Sequence, residues 1–275
     1  MYKFGLIGHP IAHSLSPALF KAAFDGKYTY DLIEGDDFEQ SYKKFLEGYQ
    51  AINVTAPFKE LAYRRADIAT DECLAIGAAN ILLKRNDGKI VAANSDHLGV
   101  LGAARTGLYP DKTVRPVALI AGCGGAAKAA AYAMASVGYR TIIVNRSYEK
   151  AVDFAQKLGM TPGFNITAAP MSEFRRHFRE AGIIVYTLPV RILELDALSG
   201  NDIRGNTLWR KETKVIIEAN YKDPAFSAEF IQNLEKKNPK LTYVSGKEWL
   251  LYQAIGAYAS FLDEEANIEA MRKVL

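Results

Sequence analysis

The chain has 275 residues, 49% of them hydrophobic and 24% charged, and a formal net charge of +3. That balance belongs to a soluble globular protein with room for one large domain or two modest ones. It argues against nucleic-acid binding, because no dense Lys/Arg cluster interleaves with aromatics, and no apolar run is long enough for a membrane-spanning helix. No signal-peptide pattern precedes the first strand-like segment, so a cytoplasmic protein is expected. Cys73 and Cys123 are far apart and the histidines are scattered, which supports neither a disulfide scaffold nor a metal site.

Residues 2–8 read as a first strand, closed by Gly8-His9-Pro10. A helix is expected after Ser16, with Ser16 as N-cap and Pro17 at the first helical position, although the Ser16 hydroxyl is equally placed to meet a ligand. Further strands are expected at residues 28–34 and 51–55. In the run Asn53-Val54-Thr55-Ala56-Pro57-Phe58-Lys59, alternation puts Asn53 and Thr55 on one face. Pro57 then ends the strand and pre-sets φ for a helical turn that carries Lys59. An amide, a hydroxyl and an ammonium delivered to one place suit a small polyhydroxylated substrate. The plainer reading is a strand–Pro–helix junction with an exposed lysine. A strand near residues 89–93 leads to Asn94-Ser95-Asp96, where Asp96 offers a carboxylate for chemistry or an N-cap for a helix starting near His97.

The polar, Pro-bounded stretch from Tyr109 to Pro116 marks the approach to a second unit. Short apolar strands at residues 117–121, 141–144, 183–188 and 215–219 alternate with helical segments, a βαβ series of α/β architecture. The run Arg175-Arg176-His177-Phe178-Arg179 reads as the solvated face of a helix. Residues 246–275 read as helix throughout, a tail that either caps its own domain or crosses back to the first one.

After the strand at 117–121 comes Gly122-Cys123-Gly124-Gly125-Ala126-Ala127 and then a helical run. This fits the G-x-G-x-x-G/A dinucleotide fingerprint in its strand–turn–helix setting. The first glycine permits the tight turn, the second lets backbone approach a pyrophosphate, and the helix N-terminus supplies N–H groups. The next strand ends in Asn145-Arg146-Ser147, with Lys150 a turn further. No acid is there to bond the ribose 2′-OH of NAD or to repel a 2′-phosphate, and Arg146 offers a planar fork for that phosphate. Ser147 serves as an ordinary helix N-cap, as a phosphate contact, or as both. NADP(H) is the expected cofactor.

Six motifs in order then carry a resemblance: Gly8-His9-Pro10-Ile11-Ala12-His13-Ser14-Leu15-Ser16-Pro17, Asn53 to Lys59, Ile76-Gly77-Ala78-Ala79-Asn80, Asn94-Ser95-Asp96, the glycine loop with Asn145-Arg146-Ser147, and Gln253 in the terminal helical run. Over essentially its whole length the chain resembles the shikimate dehydrogenases. The resemblance implies an α/β fold of two domains with the active site in the cleft between them. Residues 1–100 plus 246–275 would form the substrate domain on a mostly parallel sheet, with the C-terminal helices returning to it, and residues 101–245 a Rossmann-type, doubly wound NADP domain. The implied reaction is reversible NADPH-dependent reduction of 3-dehydroshikimate to shikimate in aromatic amino acid (chorismate) biosynthesis. Carried over position by position, Lys59 is the general acid/base, paired with Asp96. Ser14, Ser16, Asn53, Thr55, Asn80, Tyr221 and Gln253 line the substrate pocket. Gly122, Gly124, Gly125, Ala126, Ala127, Asn145, Arg146, Ser147, Lys150 and Thr187 hold the cofactor. His13 and His97 are expected near the site or on the surface rather than in the chemistry, and the protein is expected to be a monomer or homodimer.

Two departures stand out. Phe20-Lys21 occupies the place where the family usually has His-Asn, and its N-x-T-P-x-G-M loop is reduced to Thr187-Leu188-Pro189-Val190. One rival reading is a quinate/shikimate dehydrogenase of dual cofactor use, against which stand the missing acid after Val144 and the serine at position 16. Another is a non-catalytic regulator that binds shikimate or NADP, against which stand the retained Lys59 and Asp96.

Overall fold

Strands and helices alternate along most of the computed structural model, which describes residues 2–105, 108, 116–204 and 213–275. The chain divides into two units, Met1–Gly99 with Leu250–Leu275, and Val100–Trp249. The first contains β1 (Lys3–Gly8), α1 (Ser16–Ala23), β2 (Thr29–Glu34), α2 (Phe38–Gly48), β3 (Ala51–Val54), α3 (Lys59–Arg65), β4 (Ile68–Ala69), α4 (Asp71–Ile76), β5 (Ile81–Lys84) and β6 (Ile90–Ala93), and α5 (Asp96–Ala104) leads out of it. The second contains β7 (Val117–Ala121), α6 (Gly125–Ser136), β8 (Arg140–Asn145), α7 (Tyr148–Gly159), β9 (Asn165–Pro170), α8 (Phe174–Glu180), β10 (Ile183–Tyr186), α9 (Leu193–Asp196), α10 (Gly200–Arg204), β11 (Lys214–Glu218), α11 (Ala228–Lys237) and β12 (Leu241–Val244). Helix α12 (Gly246–Phe261) returns the chain to the first unit, where α13 (Ile268–Val274) completes it. Of the linker expected from Tyr109 to Pro116, all but Pro116 lies outside the described residues.

The sheet of the first unit has the order β2-β1-β3-β5-β6-β4. Only β5 runs antiparallel to its neighbours. The carboxyl ends of β1, β3 and β6 therefore share an edge with the residue that enters β5, which is Asn80. Side-chain alternation separates two faces. Ile7, Ile52 and Val54 face a core that includes Phe45, Phe58 and Leu82. Phe4 is on the other face, stacked on Phe261 and tilted against Phe20.

The second sheet is wholly parallel, ordered β12-β11-β10-β7-β8-β9. This is the doubly wound order, with the reversal of strand order between β7 and β10, where ligands of such sheets bind beyond the strand carboxyl ends.

Four strands carried too little pattern to be expected from sequence. Strand β4 has two residues, β5 and β12 have four each, and β9 is an edge strand ending in Pro170. The tail is not one helix, as expected, but two. The acidic run Asp263-Glu264-Glu265 interrupts it, and Glu264 accepts hydrogen bonds from Lys27 Nζ at 2.6 Å and Tyr28 Oη at 2.9 Å. The Asn267 N–H donates to Ala23 O at 3.0 Å and its side chain caps α13, so the tail packs on the first unit rather than its own.

The arginines of α8 are engaged rather than merely solvated. Buried Asp202 accepts from Arg175 Nη2 at 2.9 Å, from Arg179 Nε and Nη2 at 3.0 and 2.7 Å, and from the Ser199 hydroxyl at 2.7 Å. Burial would raise the Asp202 pKa, but these hydrogen bonds outweigh it and hold the carboxyl well below the ordinary carboxylate range. A depressed folded-state pKa contributes stability above the unfolded value of 3.8, and that contribution is lost as pH falls further. Asp202→Asn is expected to cost about 1–3 kcal/mol at neutral pH, with the gap in Tm to wild type narrowing from about pH 5 to pH 3. A gap independent of pH in thermal unfolding would contradict this account.

No described helix is long and apolar enough to cross a membrane. Among the described residues, no three His, Cys, Asp or Glu side chains cluster to hold a metal ion, and both cysteines are buried and outside any disulfide.

Candidate active site

The centre of the first unit's edge is an ion pair. Beyond β3 the chain makes a turn closed by Phe58 N–H to Thr55 O at 3.0 Å, and the buried Phe58 ring anchors the start of α3 at Lys59. Lys59 Nζ lies 2.5 Å from Asp96 Oδ2, with the lysine side chain 15% exposed and the aspartate 1%. Asp96 is the first residue of α5 rather than an N-cap ahead of it. Its backbone N–H donates to Asn94 Oδ1 at 2.9 Å, and Asn94 Nδ2 donates to Ala78 O at 2.7 Å. The other carboxylate oxygen accepts from Asn80 Nδ2 at 3.0 Å. A carboxylate this buried is tolerated because both oxygens have a donor. Asn80 also donates to Ser95 Oγ at 3.1 Å and accepts from Ser95 N–H at 2.7 Å, so both its amide hydrogens are directed to protein groups. The antiparallel run of β5 brings it there, since Asn80 O accepts from Val54 N–H at 2.8 Å.

The serine turn sits beyond β1. Ser16 opens α1 while Leu15 takes the N-cap position with no side-chain cap, which corrects the expected role of Ser16 as N-cap. The Ser14 hydroxyl instead supports the turn, accepting from Ser16 N–H at 3.2 Å and donating to Ser16 Oγ at 3.1 Å. Gly8 lets β1 meet the Thr55 segment, since a Cβ there would lie 2.3 Å from Thr55 Cγ2. That fixes the Thr55 methyl against Gly8, and among the described residues its hydroxyl has no partner. Gln253, partly exposed on α12, also has none. It lies one turn before Gly256, whose Cα faces Ser95 and Leu98 closely enough that a Cβ would lie 3.3 Å from Ser95 Cβ. Asn53 accepts from Tyr30 Oη at 2.8 Å and donates to Asn80 O at 3.3 Å. His13 is exposed, and burial lowers the pKa of His97, the neighbour of Asp96 in α5.

In the second unit the glycine loop, Thr187 and Arg146 all follow carboxyl ends of adjacent strands. Gly122 has φ +115°, and a Cβ on it would lie 2.4 Å from Thr187 Oγ1. Thr187 is held there by donating to Ala121 O from its hydroxyl at 2.7 Å and from its N–H at 3.0 Å. Gly124 is the N-cap of α6, exposed, with open space where a Cβ would stand. Gly125 and Ala126 form the first turn of α6, and Ala127 is buried behind it. Asn145 Nδ2 donates to Ser147 O at 2.9 Å, shaping the turn after β8. Ser147 is the N-cap of α7 but makes no side-chain cap bond. The side chains of Arg146, Ser147 and Lys150 are exposed and, among the described residues, unpartnered. No acid follows Asn145 at the strand end itself, and Glu149 lies in the first turn of α7 between Ser147 and Lys150, so the Arg146 fork is the group that fits a 2′-phosphate. Tyr221 lies in this unit on the loop after β11, which buried Glu218 closes by accepting from Ala225 N–H at 2.5 Å and Tyr243 Oη at 2.6 Å.

Sequence reasoning missed the structural parts played by Tyr30, Asn94 and Ser95. Asn94 and Ser95 were visible within their motif, but only the return of β5 shows what they hold. Tyr30 reads from sequence as one more residue of a strand.

Two family models match the chain: the shikimate dehydrogenase substrate binding domain over residues 6–82, and shikimate/quinate 5-dehydrogenase over residues 110–190. The shikimate dehydrogenase (NADP(+)) of Caulobacter vibrioides strain NA1000 is 32% identical over an alignment of 283 positions, spanning 98% of this chain and 93% of its own. That of Methanopyrus kandleri is 30% identical over 284 positions, with the same coverage. The chain belongs to the shikimate dehydrogenase family. Its fold matches shikimate 5-dehydrogenase of Thermus thermophilus, solved in complex with NADP(H) and shikimate, with a TM-score of 0.78 at 25% identity over 100% of both chains. Its departures from the shikimate dehydrogenase pattern have local accounts. Phe20, 1% exposed, packs among Phe4, Phe24, Tyr30 and Tyr258. The shortened loop after β10 is held by Tyr186 Oη donating to Val190 O at 2.6 Å.

Proposed function

We propose that this chain interconverts shikimate and 3-dehydroshikimate, using NADPH in the reductive direction, with substrate held by the first unit and cofactor by the second. The observation that carries this reading is the Lys59–Asp96 pair at 2.5 Å, on a strand-end edge that also presents the unpartnered Thr55 hydroxyl. When bound, NADPH supplies a hydride to the substrate carbonyl carbon. Lys59 supplies the proton that the carbonyl oxygen needs as charge develops on it, and takes it back in the oxidative direction. Asp96 places the ammonium and offers lone pairs to a ring hydroxyl, while Asn80 orients Asp96. Ser14 and Ser16 bind the carboxylate, and Thr55, Asn53 and Gln253 bind the remaining polar groups. Gly122, Gly124, Gly125, Ala126 and Ala127 cradle the pyrophosphate, Thr187 borders the nicotinamide, and Asn145, Arg146, Ser147 and Lys150 take the 2′-phosphate end.

Absorbance at the reduced-nicotinamide band, with NADP+ or NAD+ and shikimate or quinate, tests the reading. Turnover of shikimate with NADP+ supports it, and its absence with every pair refutes it. Arg146→Ala is expected to raise KM for NADPH by about tenfold, as a charge-assisted bond is lost, while KM for NADH stays nearly constant. Equal changes for the two cofactors would remove Arg146 from phosphate recognition.

A further inference from the structure

The side of the first sheet opposite Ile7 and Val54 carries Leu6, Asn53 and Tyr30 together, because Leu6 pairs with Asn53 across β1 and β3, and Phe4 pairs with Tyr30 across β1 and β2. The Tyr30 ring lies against Phe20 with centroids 4.8 Å apart, and its side chain reaches along the sheet to the site edge. There its hydroxyl lies 2.8 Å from Asn53 Oδ1 and is also hydrogen-bonded by the Ser16 side chain. An amide oxygen only accepts, so the phenol is the donor to Asn53. Burial keeps that phenol protonated by raising its pKa well above the ordinary tyrosine range.

Asn53 thereby has a fixed orientation. Its oxygen is directed to Tyr30, and one of its amide hydrogens goes to Asn80 O at 3.3 Å. One N–H remains for a ligand. Without the phenol, only the long bond to Asn80 O would oppose a flip that offers a ligand an acceptor instead of a donor. We propose that Tyr30 is a positioning residue for substrate recognition, holding Asn53 so that it meets the substrate as a hydrogen-bond donor. The inference rests on the reading that this edge binds shikimate. It assigns to Tyr30 a part in selectivity for a hydroxyl or carboxylate oxygen over a group that needs an acceptor.

Tyr30→Phe keeps the ring on Phe20 and removes only the hydroxyl. With NADP+ saturating, its KM for shikimate is expected to rise by about three- to tenfold with kcat little changed, the range for one neutral hydrogen bond. In an Asn53→Ala background the same substitution is expected to leave KM within about twofold, since the residue it acts through is gone. Thermal unfolding of each variant identifies any loss caused by damage to the fold. Unchanged KM in Tyr30→Phe, or an equal rise in both backgrounds, overturns the inference while leaving the proposed reaction intact. Wild-type protein that neither turns over nor binds shikimate in calorimetry overturns the reaction itself, and this inference with it.

Discussion

Lys59→Ala is expected to lower kcat for shikimate oxidation by about 10²–10⁴-fold, the range for losing a positioned general acid or base, with KM changed far less. The ammonium is 2.5 Å from Asp96, and both amide hydrogens of Asn80 are taken by Ser95 and Asp96. Neither an amide nor the Thr55 hydroxyl gives up a proton as an ammonium does, so the alanine variant has no general acid at this edge. The alanine variant also leaves one oxygen of a buried carboxylate without its cation, so lower stability accompanies the lost activity. Lys59→Arg separates the two effects. A guanidinium can pair with Asp96 but does not give up its proton at neutral pH, so the arginine variant should regain thermal stability and not turnover. Near-normal kcat in Lys59→Ala would remove Lys59 from the chemistry. Restored turnover in Lys59→Arg would reduce its part to charge placement.

What could be read from the sequence follows the range of the signals. Local signals served well: β7 begins and ends where its apolar run does, and the glycines mark the turn into α6. Lys59 opens a helix as expected, but β3 ends at Val54 and Pro57 lies in the turn ahead of the Phe58 N-cap, outside the helix whose first turn it was expected to set. Signals that depend on pairing partners were lost. Nothing in Ile81-Leu82-Leu83-Lys84 says that this segment runs antiparallel between two strands, yet that direction delivers Asn80 to Asp96. Ser16 failed as a cap because Leu15 turns into the helix first and Ser14 satisfies the Ser16 N–H, a competition between two serines that spacing does not resolve. Tyr30 was unreadable for the same reason, since its partner Asn53 is 23 residues away and meets it only across β1.

Gly122 and Gly124 in the glycine loop are expected to respond differently to the same added methyl group. Gly122→Ala places a side chain at φ +115° and 2.4 Å from Thr187 Oγ1, a hydroxyl already fixed on Ala121 O. The backbone term alone is about 1–3 kcal/mol, so Tm of the cofactor-free protein should fall by several degrees, and KM for NADP+ should rise because Thr187 must move. Gly124 has φ −86° and ψ −176°, a conformation open to alanine, and its Cβ would meet no protein atom within 4 Å. Gly124→Ala should therefore leave Tm nearly unchanged, apart from the small cost of alanine at an N-cap. If the space in front of α6 is where a pyrophosphate approaches backbone, the methyl occupies it and KM for NADP+ rises by at least about tenfold. A Gly124→Ala protein with normal stability and normal KM would mean that the open space before α6 is not a phosphate cradle, whatever the glycine pattern suggests. Loss of binding without loss of stability at Gly124, beside loss of both at Gly122, assigns the first glycine to the fold and the second to the ligand.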